Sequence, residues 1–269
     1  MNQRQRYWVA VGFIIYVLTP QIIANDINSK KPLIIGSENI DYFPHYGRTH
    51  TNRDEMTGFA RTLLDRFAEE EGIIQRYQLM PIKRLYQTLM QTQSIDLKYP
   101  DNPTWKSEYK SQSPIYYSHP VAHYIDGLLV HPDKDGIHLN DIHQIGTVKG
   151  FTPVPYLQLI NDSRIRLIEF NQISDLIRAA LSQRIDGAYV NIHVAAYQLR
   201  EVFKGEAKLT FQPQLPYQHD YYYLSTINHP QYIDRFNAYL QRNSEAIHQL
   251  KLDHGLTPIK PPGELINEK

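Results

Sequence analysis

The chain has 269 residues, 42% of them apolar, enough for one large domain or two ordinary ones with a real core. Lys plus Arg and Asp plus Glu stand at 28 each, a balance without the basic excess of a nucleic-acid binder. There is no cysteine, which removes disulfides, thiolate nucleophiles and Cys-based zinc sites together.

The opening stretch MNQRQRYWVAVGFIIYVLTPQIIA places Arg4 and Arg6 before an apolar run from Trp8 to Leu18 and ends on Ala24. A basic start, a short apolar centre and a small final residue form the pattern of a secretory signal. The run is short for a membrane span, which needs about 20 residues. Cleavage is expected after Ala24, with retention as an N-terminal anchor as the alternative. An exported, disulfide-free protein of this size fits the bacterial periplasm.

PLIIGS (32–37) reads as a buried strand, followed by the aromatic loop NIDYFPHYG (39–47). TGFARTLLDRFAEEEG (57–72) has apolar residues at helical spacing, with Thr57 as a cap and Gly72 as a stop. PIKRLYQTLMQTQS (81–94) repeats the pattern with Pro81 in its first turn, and SIDL is the next strand. KYPDNPTWK (98–106) then reads as a rigid loop, because each proline removes a backbone donor and restricts its neighbour. This is a β-loop-α-β-α-β order, which argues for a mostly parallel sheet flanked by helices.

SPIYYSHPVAHYIDGLLVHP (113–132) is extended. A strand ending near Val148, a glycine-bounded turn and a helix follow in DIHQIGTVKGFTPVPYLQLI. IRLIEF, ISDLIRAALSQ, IDGAYVNI, VAAYQLREVF and KLTFQP alternate strand and helix up to residue 213. YYYLST (221–226) is extended again, one helix covers about 230–252, and the tail from Thr257 is rich in proline. Two α/β units joined by two extended crossings predict a bilobed protein, with ligand at the carboxyl ends of the strands.

The order of PLIIGSENIDYFP, GFARTLLDRFAEE, LYQTLMQTQSIDL, SPIYYSHPV, IGTVKGFTP and LIRAALSQRIDGAYV resembles the extracellular solute-binding proteins of family 3, the polar amino-acid class. The resemblance covers roughly residues 32–255 and implies the type II periplasmic-binding-protein fold. It implies one lobe from residues 25–124 with 216–269 and a second from 125–215, closing on a small solute. It further implies an inner-membrane ABC permease or a membrane receptor as partner, a monomer and no cofactor. Amino-acid-binding members carry a Thr and an Arg in the loop after the third strand, where the Arg grips the ligand carboxylate. KYPDNPTWK offers Thr104 but no Arg, leaving Lys106 or Lys110 as the stand-in.

The expected contacts follow from these loops. Tyr42 takes the place of the family's stacking aromatic, and Arg84 that of a basic residue directed to the cleft. Tyr99, Asp101, Thr104, Trp105 and Lys106 form one wall, although Lys98 and Asp101 can simply pair with each other. Thr147, Gly150, Phe151 and Thr152 precede a helix, whose free backbone N–H groups favour an anion such as a carboxylate. Asp186 and Tyr189, with Asn191, lie by a strand of the second unit. His119 and His123 lie about 13 Å apart if extended, too far to share a metal ion. The reading is a binding protein for an anionic or zwitterionic solute, with a sensory module or a small dehydratase on the same fold as alternatives. Glu38, Asp101 and Asp186 are the acids such an enzyme has available.

Overall fold

The computed structural model describes residues 31–48, 55–111 and 113–256. The expected leader, residues 1–24, and the proline-rich tail from Thr257 lie outside the described residues. Strand β1 (Leu33–Glu38) is buried almost throughout, as a central strand covered on both faces must be. The short strands β2 (Gly47–Arg48) and β3 (Met56–Thr57) pair with each other beside it. Helix α1 (Phe59–Glu70) buries the stripe Phe59, Leu63, Leu64 and Phe67, the i, i+4, i+5, i+8 face that the sequence spacing predicts. Its N-cap is Gly58 rather than Thr57, at φ 93°, and a Cβ there would meet the Tyr46 backbone at 3.0 Å.

Strand β4 (Gln75–Met80) runs parallel to β1 over six residue pairs. Helix α2 (Ile82–Gln87) starts after Pro81 and continues as a π-helical stretch to Thr92. Strand β5 (Leu97–Asp101) corrects one sequence reading, because it runs through Lys98, Tyr99 and Pro100 before the chain turns. Proline fits there because the ladder to β1 ends at Lys98 and the ladder to the next strand shifts register nearby. After the one-turn helix α3 (Ser107–Lys110) come β6 (Tyr116–Tyr117) and the long β7 (Ala122–Val130).

The second α/β series is β8 (Gln144–Val148), α4 (Leu157–Asn161), β9 (Arg166–Phe170), α5 (Ile173–Leu181), β10 (Gly187–Asn191) and α6 (Ile192–Tyr197). The short β11 (Thr210–Phe211) and the long β12 (Gln218–Thr226) follow. The predicted C-terminal helix is two, α7 (Pro230–Arg242) and α8 (Ser244–Asp253). Asn243 breaks it at φ −107°, ψ 21°, its side-chain amide donating to the Tyr239 carbonyl and to Glu70. Phe236 of α7 packs edge-on against Phe67 of α1 at 5.0 Å between ring centres.

All but β2 and β3 join one sheet in the order β4-β1-β5-β12-β7-β10-β8-β9, with β6 on β12 and β11 on β7. β1, β4 and β5 are parallel, as are β8, β9 and β10. The two parallel sets meet through the antiparallel pair β7 and β12. Among the described residues no helix is long and apolar enough to cross a membrane.

Candidate functional site

The parallel strands end on one small cavity of ≈ 30 Å³, partly open to solvent. Glu38, the last residue of β1, lines it with Tyr42 and Tyr46 from the loop beyond. Ile82 and Tyr86 reach it from α2, Trp105 and Lys106 from the turn after β5, and Gly150, Phe151 and Thr152 from the turn after β8. Asp126, Tyr189 and Tyr222 supply the floor from β7, β10 and β12. Residues far apart in sequence touch across it. Tyr42 meets the edge of Phe151 at 5.3 Å and stacks on Tyr46 at 5.3 Å. Gly150, at φ 94°, comes so near Ile82 that a Cβ would stand 3.1 Å from the isoleucine Cβ. Trp105 donates its indole N–H to the Tyr124 hydroxyl at 3.1 Å and packs on Tyr222 at 5.8 Å.

Of the residues expected from sequence, the structure brings Tyr42, Trp105, Lys106, Gly150, Phe151, Thr152 and Tyr189 to the cavity. It places the others elsewhere. Arg84 is exposed on α2, because Ile82 and Tyr86, four apart, take the inner face and Arg84 lies midway between them. Tyr99 is buried in the core. Thr104 is exposed and turns inward on Asn102, donating to its side-chain oxygen at 2.7 Å. Thr147 is buried and donates to the Tyr189 carbonyl at 3.2 Å. Asp186 lies before β10, at the start of the parallel strands and not their end. There it accepts the amides of His143 and Gln144 at 2.8 Å and pairs with Lys134 at 2.6 Å. Burial raises the Asp186 pKa, but Lys134 and these two amides outweigh it and hold the carboxyl below its usual range.

The anion-binding helix start also needs correction. Lys149 N–H donates to Phe170, Gly150 N–H to Glu169 and Phe151 N–H to Val148, so these amides are taken. The helix that follows has only five residues, after a 3₁₀ turn. Asp41 pairs with Arg48 at 3.0 Å and does not line the cavity. His123 packs edge-on against His219 at 4.6 Å, and among the described residues no cluster of three or more metal-ligating side chains forms.

Charge around the cavity falls into two groups. Behind the Tyr86 and Trp105 walls, Asp101 is fully buried and held by Lys98 at 3.1 Å and Lys110 at 2.6 Å. It also accepts the Ser225 hydroxyl at 2.7 Å and the Asn102 amide at 2.9 Å. Lys98 Nζ lies 4.5 Å from the Tyr86 ring centre. Burial pushes Asp101 up, but the two lysines overcome it and hold the carboxyl below its usual range. Burial pushes Lys110 down to about 8. Of the two candidates for the missing arginine, Lys110 is spent on Asp101, and Lys106 lines the cavity as an exposed residue at its rim.

The second group faces the cavity. Glu38 is buried and accepts the Tyr46 hydroxyl at 2.5 Å, and burial raises its pKa despite the nearby Lys98. Asp126 sits in β7 opposite Asn191 of β10 and Gln218 of β12. One of its carboxylate oxygens, Oδ1, is buried with no hydrogen-bond partner. Burial pushes Asp126 up to about 7, against a smaller lowering by the Asn191 amide. Tyr46, Tyr86, Tyr222 and Asp126 were not singled out by sequence. The signal for Asp126 was present: an acid in the middle of AHYIDGLLV, a nine-residue strand buried at every position but His123.

No protein-family model matches the chain, and no curated protein matches it by sequence. Solved structures do match. An ancestral amino acid-binding protein, described as a precursor of cyclohexadienyl dehydratase, is 17% identical at a TM-score of 0.65, over 85% of this chain and 97% of that one. An arginine transport-system periplasmic binding protein from Legionella pneumophila is 14% identical at 0.65, over 83% and 99%. The arginine-, lysine-, histidine-binding protein ArtJ from Geobacillus stearothermophilus is 17% identical at 0.64, over 86% and 97%. At such identities the likeness is one of fold, and the chain has the type II periplasmic-binding-protein fold that its sequence order leads one to expect.

Proposed function

We propose that the chain is a periplasmic solute-binding protein that captures a small polar solute in this cavity for ABC-type import. The observation that carries the reading is the cavity itself. It lies where parallel strands end, and its walls come from chain segments as distant as Tyr42 and Phe151 or Ile82 and Gly150. The similar structures, named for amino-acid binding and transport, support it. In this reading residues 25–124 with 216–269 form one lobe and 125–215 the other, with β7 and β12 as the crossings. The leader is cut after Ala24, the protein works as a monomer, and its partner is an inner-membrane permease.

A second reading, an enzyme on the same fold, has one observation in its favour. Asp126 is poised at about 7 inside a cavity, the range a general acid or base needs. One experiment separates the two: a thermal-shift screen of amino acids, organic acids, amines and sugars, with each hit recovered afterwards. A solute at 100 times its dissociation constant adds about 2.7 kcal/mol of stability. A hit recovered unchanged supports capture, and a hit that is consumed moves the assignment to catalysis. Silence across the panel sinks the capture reading. With a hit in hand, Trp105→Ala should weaken binding by roughly tenfold or more, as loss of a central aromatic does. Trp105 is the only tryptophan among the described residues, so its fluorescence reports directly on the cavity.

A further inference from the structure

Among the described residues, the buried acids are Glu38, Asp101 and Asp126, and the buried lysines are Lys98 and Lys110. The buried histidines are His45 and His193, and burial with the neighbouring His193 pushes His45 well below the usual histidine range, so it brings no positive charge. The lysines sit on Asp101, and the field of Lys98 reaches Glu38. Neither lysine pairs with Asp126, and it is the acid with an oxygen, Oδ1, that no hydrogen bond meets. An isolated buried carboxylate is costly unless paired. The one cation lining the cavity, Lys106, is exposed at its rim.

The rest of the lining has the chemistry of a cation box. Tyr42, Tyr86, Tyr189, Tyr222 and Trp105 line the same space, and the Tyr86 ring already has Lys98 Nζ at 4.5 Å. Aromatic faces attract ammonium groups, most strongly where water is excluded. Glu38, the second acid, adds negative potential from the end of β1.

We propose that the group recognised in this cavity is a single organic ammonium, held by Asp126 and Glu38 within the tyrosine and Trp105 rings. The inference rests on the solute-capture reading and narrows it, turning the expected anionic or zwitterionic solute into a cation-bearing one. Lys98 and Lys110 are already bound to Asp101, which leaves Lys106 at the rim to meet any carboxylate on the solute.

The test titrates the purified chain at pH 8, following Trp105 fluorescence and calorimetry. The probes are choline, tyramine, putrescine and arginine, with glutarate, benzoate and glucose as the anionic and neutral set. For any cation that binds, its uncharged isostere is titrated too, such as 3,3-dimethyl-1-butanol for choline. At least one cation should bind, and its isostere should bind roughly 100-fold more weakly. Asp126→Asn, which keeps shape and removes charge, should weaken the cation by a similar factor and leave the isostere unchanged. Binding of glutarate, benzoate or glucose without any cation overturns the ammonium assignment and leaves solute capture standing. Failure of every probe overturns both. Equal affinity for cation and isostere overturns the ammonium assignment alone, and that comparison needs no variant, so it decides even if Asp126→Asn does not fold.

Discussion

Asp101 and Asp126 are both buried aspartates on strands next to β12, yet the chain treats them in opposite ways. Around Asp101 it gathers two lysines, a serine hydroxyl and a backbone amide, and the carboxyl is held as an anion. Around Asp126 it leaves an oxygen without a partner and pushes the carboxyl up to about 7. A buried charge whose every lone pair is met is part of the framework. One that is not met costs stability, and a cavity beside it gives the cost a purpose. The first group fixes the turn that carries Trp105, and the second waits for a partner from outside.

The largest effect that would break this contrast is Asp101→Ala. It leaves Lys98 and Lys110 buried without a counter-charge and should cost about 3–5 kcal/mol, read as a shift in the urea midpoint. A loss below 1 kcal/mol would mean that Asp101 is no keystone. Next comes the pH dependence of Asp126. Its folded pKa is raised from 3.8 to about 7, so the folded state binds the extra proton, and its contribution is present below about pH 4 and lost as pH rises through 7. The raised pKa of Glu38 tilts the same way, while the lowered ones of His45 and His123 tilt the other way. The clean quantity is therefore the difference between variants. Relative to wild type, Asp126→Asn should gain stability between pH 4 and 8, with a ceiling of about 4 kcal/mol. A difference that stays flat with pH would place Asp126 in an ordinary solvated state.

Smaller effects sharpen the comparison. Gly150→Ala puts a Cβ on a left-handed residue and 3.1 Å from Ile82, so it should cost about 1–3 kcal/mol and open the cavity mouth. Melting temperature and solute affinity should fall together. Arg84→Ala should change neither stability nor affinity beyond about 0.5 kcal/mol, as expected for an exposed helix position. A large loss of affinity there would return Arg84 to the site.

The fold was legible because periodicity reports burial. The stripe of α1 and the buried β1 were both written in the order of apolar residues. The aromatic loop residues Tyr42 and Trp105 were legible as well, since rings on loops at strand ends have few other places to go. What was not legible depends on direction and pairing. Whether α2 offers Arg84 or the pair Ile82 and Tyr86 is settled by the angle at which the helix packs. Whether KYPD is loop or strand is settled by β12, a partner more than a hundred residues away. The amides at 149–151 looked free because Phe170 and Glu169, which take two of them, belong to the adjacent strand β9. Asp126 alone was readable and passed over, hidden in a strand whose other residues are apolar or aromatic.

Strand β12 has a consequence for the order in which the protein can be assembled. It lies between β5 and β7, pairing Tyr223 with Asp101 and Tyr222 with Ala122. The middle of the sheet is thus laid down by the last strand, among the described residues, to leave the ribosome. Until residue 226 has emerged, β5 and β7 hold open edges toward each other and Asp101 lacks Ser225. A product truncated before Gln218 would keep both parallel sets and lose the strand that joins them to each other. Completion of the sheet is tied to the emergence of residues 218–226, and early folding of the first half is held back until they arrive.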